Sequence, residues 1–547
     1  MEVLRMSSYV ELKRVYAMTV IAGLLASGCV LRVDSTADAP DANPGDGVCA
    51  TAAPAGGSEG LCTLRAAVME ANATVWAESI EIPAGTYQLT LSIGEGGGTL
   101  VIERSVAIRG AGVGNTIIDA AASDYDGGEN CPLSGPEHRV FTINGGNVSI
   151  RYATLRGGVA QHGGGIRQDG GDLEITDASI ERNVAFTGGG GIHLAGGTTR
   201  IRRTSIVNNC ANGAFGGGLR VGASGEGWVY DSLIANNRAN RAGGVYNLGA
   251  LNLRSTTVSG NVAISPSAGT GGVSQNGFAV LNNVTITGNV GQGRDTSSFL
   301  GGGLATSAGA TSVVKNSIIA NNDGQLGPND CVGALTFDSR NNLIGDSDGC
   351  NIAGFLFTYL LDVDPQLGPL AANGGPTRTH ALLSSSPARE AAYEFPPPAA
   401  DACEARDQRG VPRPQGRSRC DMGAFEAGNA NTFVTGFMLV DAQTNTDLFP
   451  IRNGELLNLA ELPDELSIRA IATGGIGSIV FSFDTNASFQ IENNAPYVLG
   501  GDAPLGDYTP VDFAPGEHVV RATPFAGTNG TGAGGGSLEV RFAVFGS

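Results

Sequence analysis

Ser179-Ile180-Glu181-Arg182-Asn183 is followed 26 residues later by Ser205-Ile206-Val207-Asn208-Asn209. The same small-apolar-x-x-Asn element returns as Ser232-Leu233-Ile234-Ala235-Asn236, Thr257-Val258-Ser259-Gly260-Asn261, Thr285-Ile286-Thr287-Gly288-Asn289 and Ser317-Ile318-Ile319-Ala320-Asn321. Successive asparagines lie 26, 27, 25, 28 and 32 residues apart. Between them runs a second marker on the same period: Gly163-Gly164-Gly165-Ile166, Gly189-Gly190-Gly191-Ile192, Gly216-Gly217-Gly218-Leu219, Gly243-Gly244-Val245, Gly271-Gly272-Val273 and Gly301-Gly302-Gly303-Leu304. A repeat of this length signals a solenoid or a propeller, and a propeller blade of four strands needs roughly 40 residues. Three short strands and three turns fit the observed period, and no amphipathic helix of useful length interrupts it. The expectation is a right-handed parallel β-helix. Equivalent residues then stack about 4.8 Å apart, which aligns the inward Ile, Leu and Val. The same stacking makes Asn183, Asn209, Asn236, Asn261, Asn289 and Asn321 candidates for an amide ladder.

Composition agrees with many short strands and tight turns. The chain has 84 glycines in 547 residues, 24 prolines and 16% charged residues, so its glycine share is about twice the usual roughly 7%. A formal charge of −19 offers no basic field for a nucleic-acid backbone, and nucleic acid is excluded as a partner on that ground. At the N-terminus Lys13 and Arg14 precede an apolar run over 15–25 and then Ala26-Ser27-Gly28-Cys29, the layout of a secretory signal over residues 1–28. Ala-Ser-Gly-Cys resembles a bacterial lipobox, which implies lipidation of Cys29 and export to the outer membrane or cell surface. Residues 29–47, rich in Ala, Asp and Pro, read as an extended tether.

Eight further cysteines stand in an export context where disulfides form. Proximity pairs Cys49 with Cys62, Cys331 with Cys350 and Cys403 with Cys420. For Cys131 and Cys210 both pairing and the reduced state stay open.

The glycine-glycine-apolar and apolar-x-x-Asn pairing resembles the repeats of bacterial β-helix surface proteins of the polymorphic outer-membrane-protein type. Cys62-Thr63-Leu64-Arg65-Ala66-Ala67-Val68 resembles the Cys-Ser-Leu-Arg-Glu-Ala-Ile segment that opens many such chains, with Ala66 standing where the family has its acidic residue. Leu64, Ala67, Val68 and Ala71 share one helical face, which suits a cap over the open end of a solenoid. Downstream, Asp364-Pro365-Gln366-Leu367-Gly368-Pro369-Leu370, Asn373-Gly374-Gly375-Pro376-Thr377-Arg378-Thr379-His380, Ser386-Pro387-Ala388, Asp407-Gln408-Arg409-Gly410 and Asp421-Met422-Gly423-Ala424-Phe425-Glu426 resemble, in order, the choice-of-anchor Q region. Alternating apolar runs after residue 431 predict an immunoglobulin-like β-sandwich. The expected division is a β-helix with its cap over 48–390, a disulfide-closed choice-of-anchor Q end region over 391–430 and the sandwich over 431–547.

Chemistry on such a scaffold would mean a polysaccharide lyase or glycoside hydrolase, the latter built on paired carboxylates. Two positions before each Ser/Thr marker stand Asp177, Arg203, Tyr230, Ser255, Asn283 and Lys315, which sets Asp177 beside Arg203 as an ion pair, with Asp231 one column over. Asp177, Arg203 and Asp231 are the catalytic candidates on this reading. His138, His162, His193, His380 and His518 form no triad in the sequence. Asp124, Tyr125, Asp126 and Glu129 offer oxygen ligands for calcium, although a loop without an EF-hand register explains them as well. No other cofactor is implied. With Trp76 and Trp228 the only tryptophans, aromatic glycan stacking is sparse. The preferred expectation is a non-catalytic envelope or surface lipoprotein that presents its β-helix for adhesion, with a surface or glycan ligand.

Overall fold

The computed structural model describes residues 30–546 except 53–59, 75–77, 93–96, 121, 123–124, 129–130, 133–136, 214, 266–268, 293–300, 325–326, 329, 355, 394–401, 415–418, 428–432, 453, 532–534 and 536. The signal sequence, Cys29, Trp76, Asp124 and Glu129 lie outside the described residues.

The repeat folds as a parallel β-helix. A full coil of the repeat gives two strands to a long front sheet, one to a back sheet and one to a side sheet, and over the described residues the three sheets hold 18, 11 and 8 strands. In one coil the front strands are Ile166–Gln168 and Asp172–Thr176, the back strand is Ser179–Glu181 and the side strand is Val184–Gly188. Pairing between coils is parallel, as in Ile166 on Ile192 on Leu219 on Val245. These inward residues, with Ile180, Ile206, Ile234, Val258 and Ile286, are fully buried in one continuous core.

The two sequence markers are two sides of one device. Buried asparagines run up the corner between the back and side sheets, and each amide donates both to the next asparagine and to a carbonyl of the coil behind it. Asn209 Nδ2 donates to Asn237 Oδ1 (3.0 Å) and to Ile180 O (2.8 Å), while its backbone N–H also reaches Asn237 Oδ1 (2.9 Å). The glycine triplets pass directly opposite. A Cβ on Gly218 would stand 2.8 Å from Asn237 Nδ2, and one on Gly217 would stand 2.4 Å from Gly243 O. Glycine is therefore required there by close approach of the backbone.

The ladder departs from the sequence expectation at two rungs. It runs Asn183, Asn209, Asn237, Asn261, Asn289, Asn322 and ends on Asp330. Asn236 and Asn321 are instead corner residues with φ of 54° and 61°. The cause is a one-residue offset at each: Ser205 pairs with Leu233, not Ser232, and Thr285 pairs with Ile318, not Ser317. The hydroxyl of Ser232 belongs one column earlier with Thr204, whose N–H it accepts (3.1 Å).

Both ends are covered by the chain itself. Helix α1, Leu64–Ala73, is capped by the Thr63 hydroxyl and sinks Leu64, Ala67, Val68 and Ala71 into the solenoid core. The stretch expected to be a tether is folded. Val30–Arg32 forms the first front-sheet strand on Ser79, Ile80 and Glu81, and Asp38 is buried against Arg65 (2.6 Å). Ion-pairing to the helix and backbone pairing to the first coil outweigh the extended bias of its composition.

The last coil strand is Leu360–Leu361. The described residues of 367–427 then double back along the solenoid: His380 bonds Ser259 (2.9 Å), Gln408 accepts from Thr257 (2.6 Å), and Gly423 N–H donates to Asn316 O (2.8 Å). This strap is held by buried charges. Arg413 pairs with Glu426 (2.9 Å) and Arg409 with Asp407 (2.7 Å), and Arg409 also donates to Glu426 O (2.7 Å). Cysteine pairs join 49 with 62, 131 with 210, 331 with 350 and 403 with 420. The bond from Cys131 to Cys210 pins the excursion that carries buried Tyr125 onto Val159 and Val184 of the side sheet.

The C-terminal module is a β-sandwich of a four-stranded and a five-stranded sheet. Phe437, Leu439, Ile468, Phe481, Val520 and Phe542 fill the space between them.

Asn237→Ala removes a buried rung and is expected to destabilise the chain by about 1–3 kcal/mol. Asn236→Gly, by contrast, matches the glycines that following coils carry at that corner and should stay within about 0.5 kcal/mol of the parent. Thermal unfolding of the two variants checks the register; equal losses would contradict it.

Candidate functional site

Where each second front strand turns into the back sheet, the backbone takes a left-handed conformation. Tyr152, Asp177, Arg203, Asp231, Ser255, Asn283, Asn316 and Asn341 occupy this corner with φ between 40° and 57°. Asp and Asn tolerate such a φ because their short polar side chains bond locally. The N–H groups of Asp177, Arg203 and Asp231 each donate to the following coil, to Arg202 O, Tyr230 O and Arg254 O, all at 3.1 Å. Asp177, Arg203 and Asp231 thus stand in one column on consecutive coils. Tyr230 and Lys315, expected in this column, sit one residue earlier, and Asp231 is in it and not beside it. The offset that moves the ladder rungs moves these residues too.

The sandwich docks on the start of this column. Asp177 accepts from Arg203 Nε and Nη2 (3.0 and 3.1 Å) and also pairs with Arg452 of the sandwich. Two coils nearer the N-terminus, Arg109 pairs with Glu455 (2.8 Å), and its guanidinium lies over the Phe449 ring at 4.1 Å. Tyr152, on the coil between, donates its hydroxyl to Glu455 Oε2 (3.3 Å), and burial pushes that phenol up to about 12. Three consecutive coils therefore grip one sandwich segment, with Glu455 of the sandwich and Asp177 of the solenoid as the two acceptors.

Above the grip the solenoid, strap and sandwich enclose a cleft of about 610 Å³. Its wall includes Arg202, Arg203, Asp231, Arg406, Arg452 and Glu539. Arg202 lies over the Tyr230 ring at 4.2 Å and, among the described residues, has no carboxylate partner. Arg406 donates to Gly410 O (2.8 Å). Burial pushes the Asp231 carboxyl up to about 7, against the pull of Arg203 and Arg202 and with the push of Asp407 and Glu404. The cleft can accept an anionic or hydrogen-bonding group.

Asp177 and Asp231 are two coils apart, about 9.6 Å of strand spacing, and Arg203 stands between them. That guanidinium, bonded to Asp177, lies between the two carboxylates that paired-carboxylate hydrolysis would use.

Of the histidines, His380 is held by Ser259 and Gly368 O, and His518 by Asp484 (2.8 Å) and Ala514 O (2.6 Å). His162 and His193, on successive coils, meet with ring centroids 4.9 Å apart. The signal for that meeting was positional, since each lies beside a glycine triplet. In the candidate calcium loop Asp126 accepts the Gly128 N–H (2.8 Å) in a turn of its own. Among the described residues no three His, Cys, Asp or Glu side chains gather as metal ligands. No described helix is long and apolar enough to cross a membrane. Comparison with protein-family models, curated proteins and solved structures finds no match.

Two measurements check this geometry. Removing the docking side chains in Arg452→Ala/Glu455→Ala should release the sandwich, raising the radius of gyration in small-angle scattering while the solenoid's circular dichroism is kept. Asp231 has a folded pKa raised above its unfolded value, so its contribution to stability is complete below about pH 4 and is lost as pH rises through about 7. Asp231→Asn should therefore melt with the parent at pH 4 and be more stable at pH 8, by on the order of 2 kcal/mol once solvent screening in the cleft is allowed for.

Proposed function

We propose that the chain is a non-catalytic lipoprotein of the bacterial envelope whose solenoid and docked sandwich form one rigid interaction surface, suited to adhesion. The observation that carries this reading is the bonding of Asp177. The best-placed catalytic carboxylate is already engaged by Arg203 and Arg452 and serves to hold two modules together. A carboxylate gripped by two guanidiniums has its oxygens occupied and is not free to take a proton from a substrate.

Export is supported by the leader pattern over 1–28, the lipobox resemblance at Cys29 and four cysteine pairs. The resemblance to surface proteins with a choice-of-anchor Q region supports the same address. In this reading the lipid sits one residue before the first front-sheet strand, so the capped end of the solenoid faces the membrane and the coils project from it.

A lyase or hydrolase is the competing reading, and Asp231 is the residue that would serve it, since a carboxyl titrating near neutrality can give or take a proton. The test is incubation of the purified full chain with acidic and neutral polysaccharides, with and without calcium. New reducing ends and unsaturated-uronide absorbance are followed. No turnover is expected; turnover abolished in Asp231→Asn would replace the scaffold reading with an enzymatic one. Cys29→Ala is expected to move the protein from the membrane to the soluble envelope fraction.

A further inference from the structure

On the outer side of the first front strands, away from the cleft, register stacks Thr142, Arg167, His193, Arg220 and Tyr246 in one column on consecutive coils. The residues flanking this column reinforce its character. Arg139 donates to the Thr142 hydroxyl (2.9 Å), His162 packs on His193, and Phe215 stacks on Tyr246 with centroids 4.2 Å apart and planes at 22°. Arg241 lies over the Phe215 ring at 5.5 Å. Four guanidiniums, of Arg139, Arg167, Arg220 and Arg241, thus line a short strip on a chain whose formal charge is −19. Arg167 is neutralised by Asp169 (2.8 Å). Arg139 and Arg220 form no ion pair among the described residues and donate only to a hydroxyl and to Thr187 O (3.3 Å).

Arg139 Nε, Arg220 Nε and His193 Nδ1 are shielded from solvent without a hydrogen-bond partner, a costly arrangement for buried polar groups. The cations also press on their neighbours: burial, then Arg220, hold the His193 ring at about 3, and His162 is lowered for the same reasons. The His193 ring therefore stays neutral at ordinary pH, and the positive charge of the strip belongs to the guanidiniums.

We propose that this strip binds a linear acidic polysaccharide running along the solenoid axis, with its carboxylates on Arg139 and Arg220 and a sugar face against Phe215 and Tyr246. The proposal rests on the interaction-surface reading above and names its ligand class. Guanidinium forks match carboxylates in a paired geometry, and the spacing of coils repeats the same type of outward position about every 4.8 Å, which suits a polymer more than a lone ion. The nearest alternative polymer, a single-stranded nucleic acid, would bring a denser negative charge toward a strongly acidic protein and is disfavoured on that ground.

The test is equilibrium binding of the purified full chain to polygalacturonate, with neutral dextran and a single-stranded oligonucleotide as comparators. Binding to polygalacturonate that weakens with salt, that falls at least tenfold in Arg139→Ala/Arg220→Ala and in Phe215→Ala/Tyr246→Ala, and that is unchanged in Arg182→Ala at an exposed corner outside the strip and the cleft is the expected result. Arg220→Lys, which keeps the charge but loses the fork, should fall between parent and double variant, and unaltered thermal unfolding of each variant shows that folding is not the cause. No binding by the folded chain, equal binding of dextran, tighter binding of the oligonucleotide, or indifference to the arginine variants would each overturn the proposal while leaving the scaffold reading in place. Cleavage of polygalacturonate would overturn the scaffold reading instead.

Discussion

Everything in the solenoid depends on a column of buried amides facing a column of glycines. A parallel coil buries backbone and side-chain polar groups at its corners, and each one left unmatched costs about 1–3 kcal/mol. Asparagine meets the requirement because its amide both accepts and donates, so one residue type can satisfy itself from coil to coil. The glycines opposite are the geometric condition for this, since a side chain at Gly218 would overlap the amide of Asn237. The two markers share a period because they are halves of one packing solution.

Where the ladder stops, other chemistry takes over. Asn322 hands its bonds to Asp330, whose second oxygen accepts from Asp346 N–H (2.8 Å), and burial pushes this carboxyl up to about 6. The strap covers the flank with an arrangement of Arg409, Arg413, Asp407 and Glu426 in which the charges are buried but mutually bonded. Removing one member of such a set is far more damaging than never having had it. The sequence blocks of the strap are rich in Asp, Arg and Gly because these residues hold it closed against the solenoid.

The same stacking rule generates the functional surfaces. An outward column repeats a position on every coil, so a few substitutions place like chemistry side by side. One column carries Asp177, Arg203 and Asp231 and is consumed, at Asp177, by docking the sandwich. Another carries Arg167, His193, Arg220 and Tyr246 and is left facing outward. A solenoid of this kind separates its core requirements from its surface chemistry, because inward and outward residues alternate along each strand.

The repeat, the all-β class, the cap helix at Leu64–Ala73 and the strands of the sandwich were legible in the sequence, because periodicity and turn residues report local geometry directly. The register was legible only to within one residue. The adjacent hydroxyl residues Thr204 and Ser205 offer Ser232 two equivalent positions to align with, and only hydrogen bonding between coils decides for Thr204. That residue's difference moved one rung of the ladder and brought Asp231 into line with Asp177, and a second shift of the same kind, Thr285 pairing with Ile318 and not Ser317, moved the other rung. The meeting of His162 with His193 was signalled only by their places beside glycine triplets, and the folding of residues 30–47 onto the first coil and the grip of Arg452 and Glu455 on the solenoid had no local signature. They arise from contacts between separate segments of the chain. The sequence by itself determined the coil, since a coil is a local pattern repeated; only the tertiary structure decided which side chains meet, since a one-residue shift in a strand changes every neighbour across the sheet.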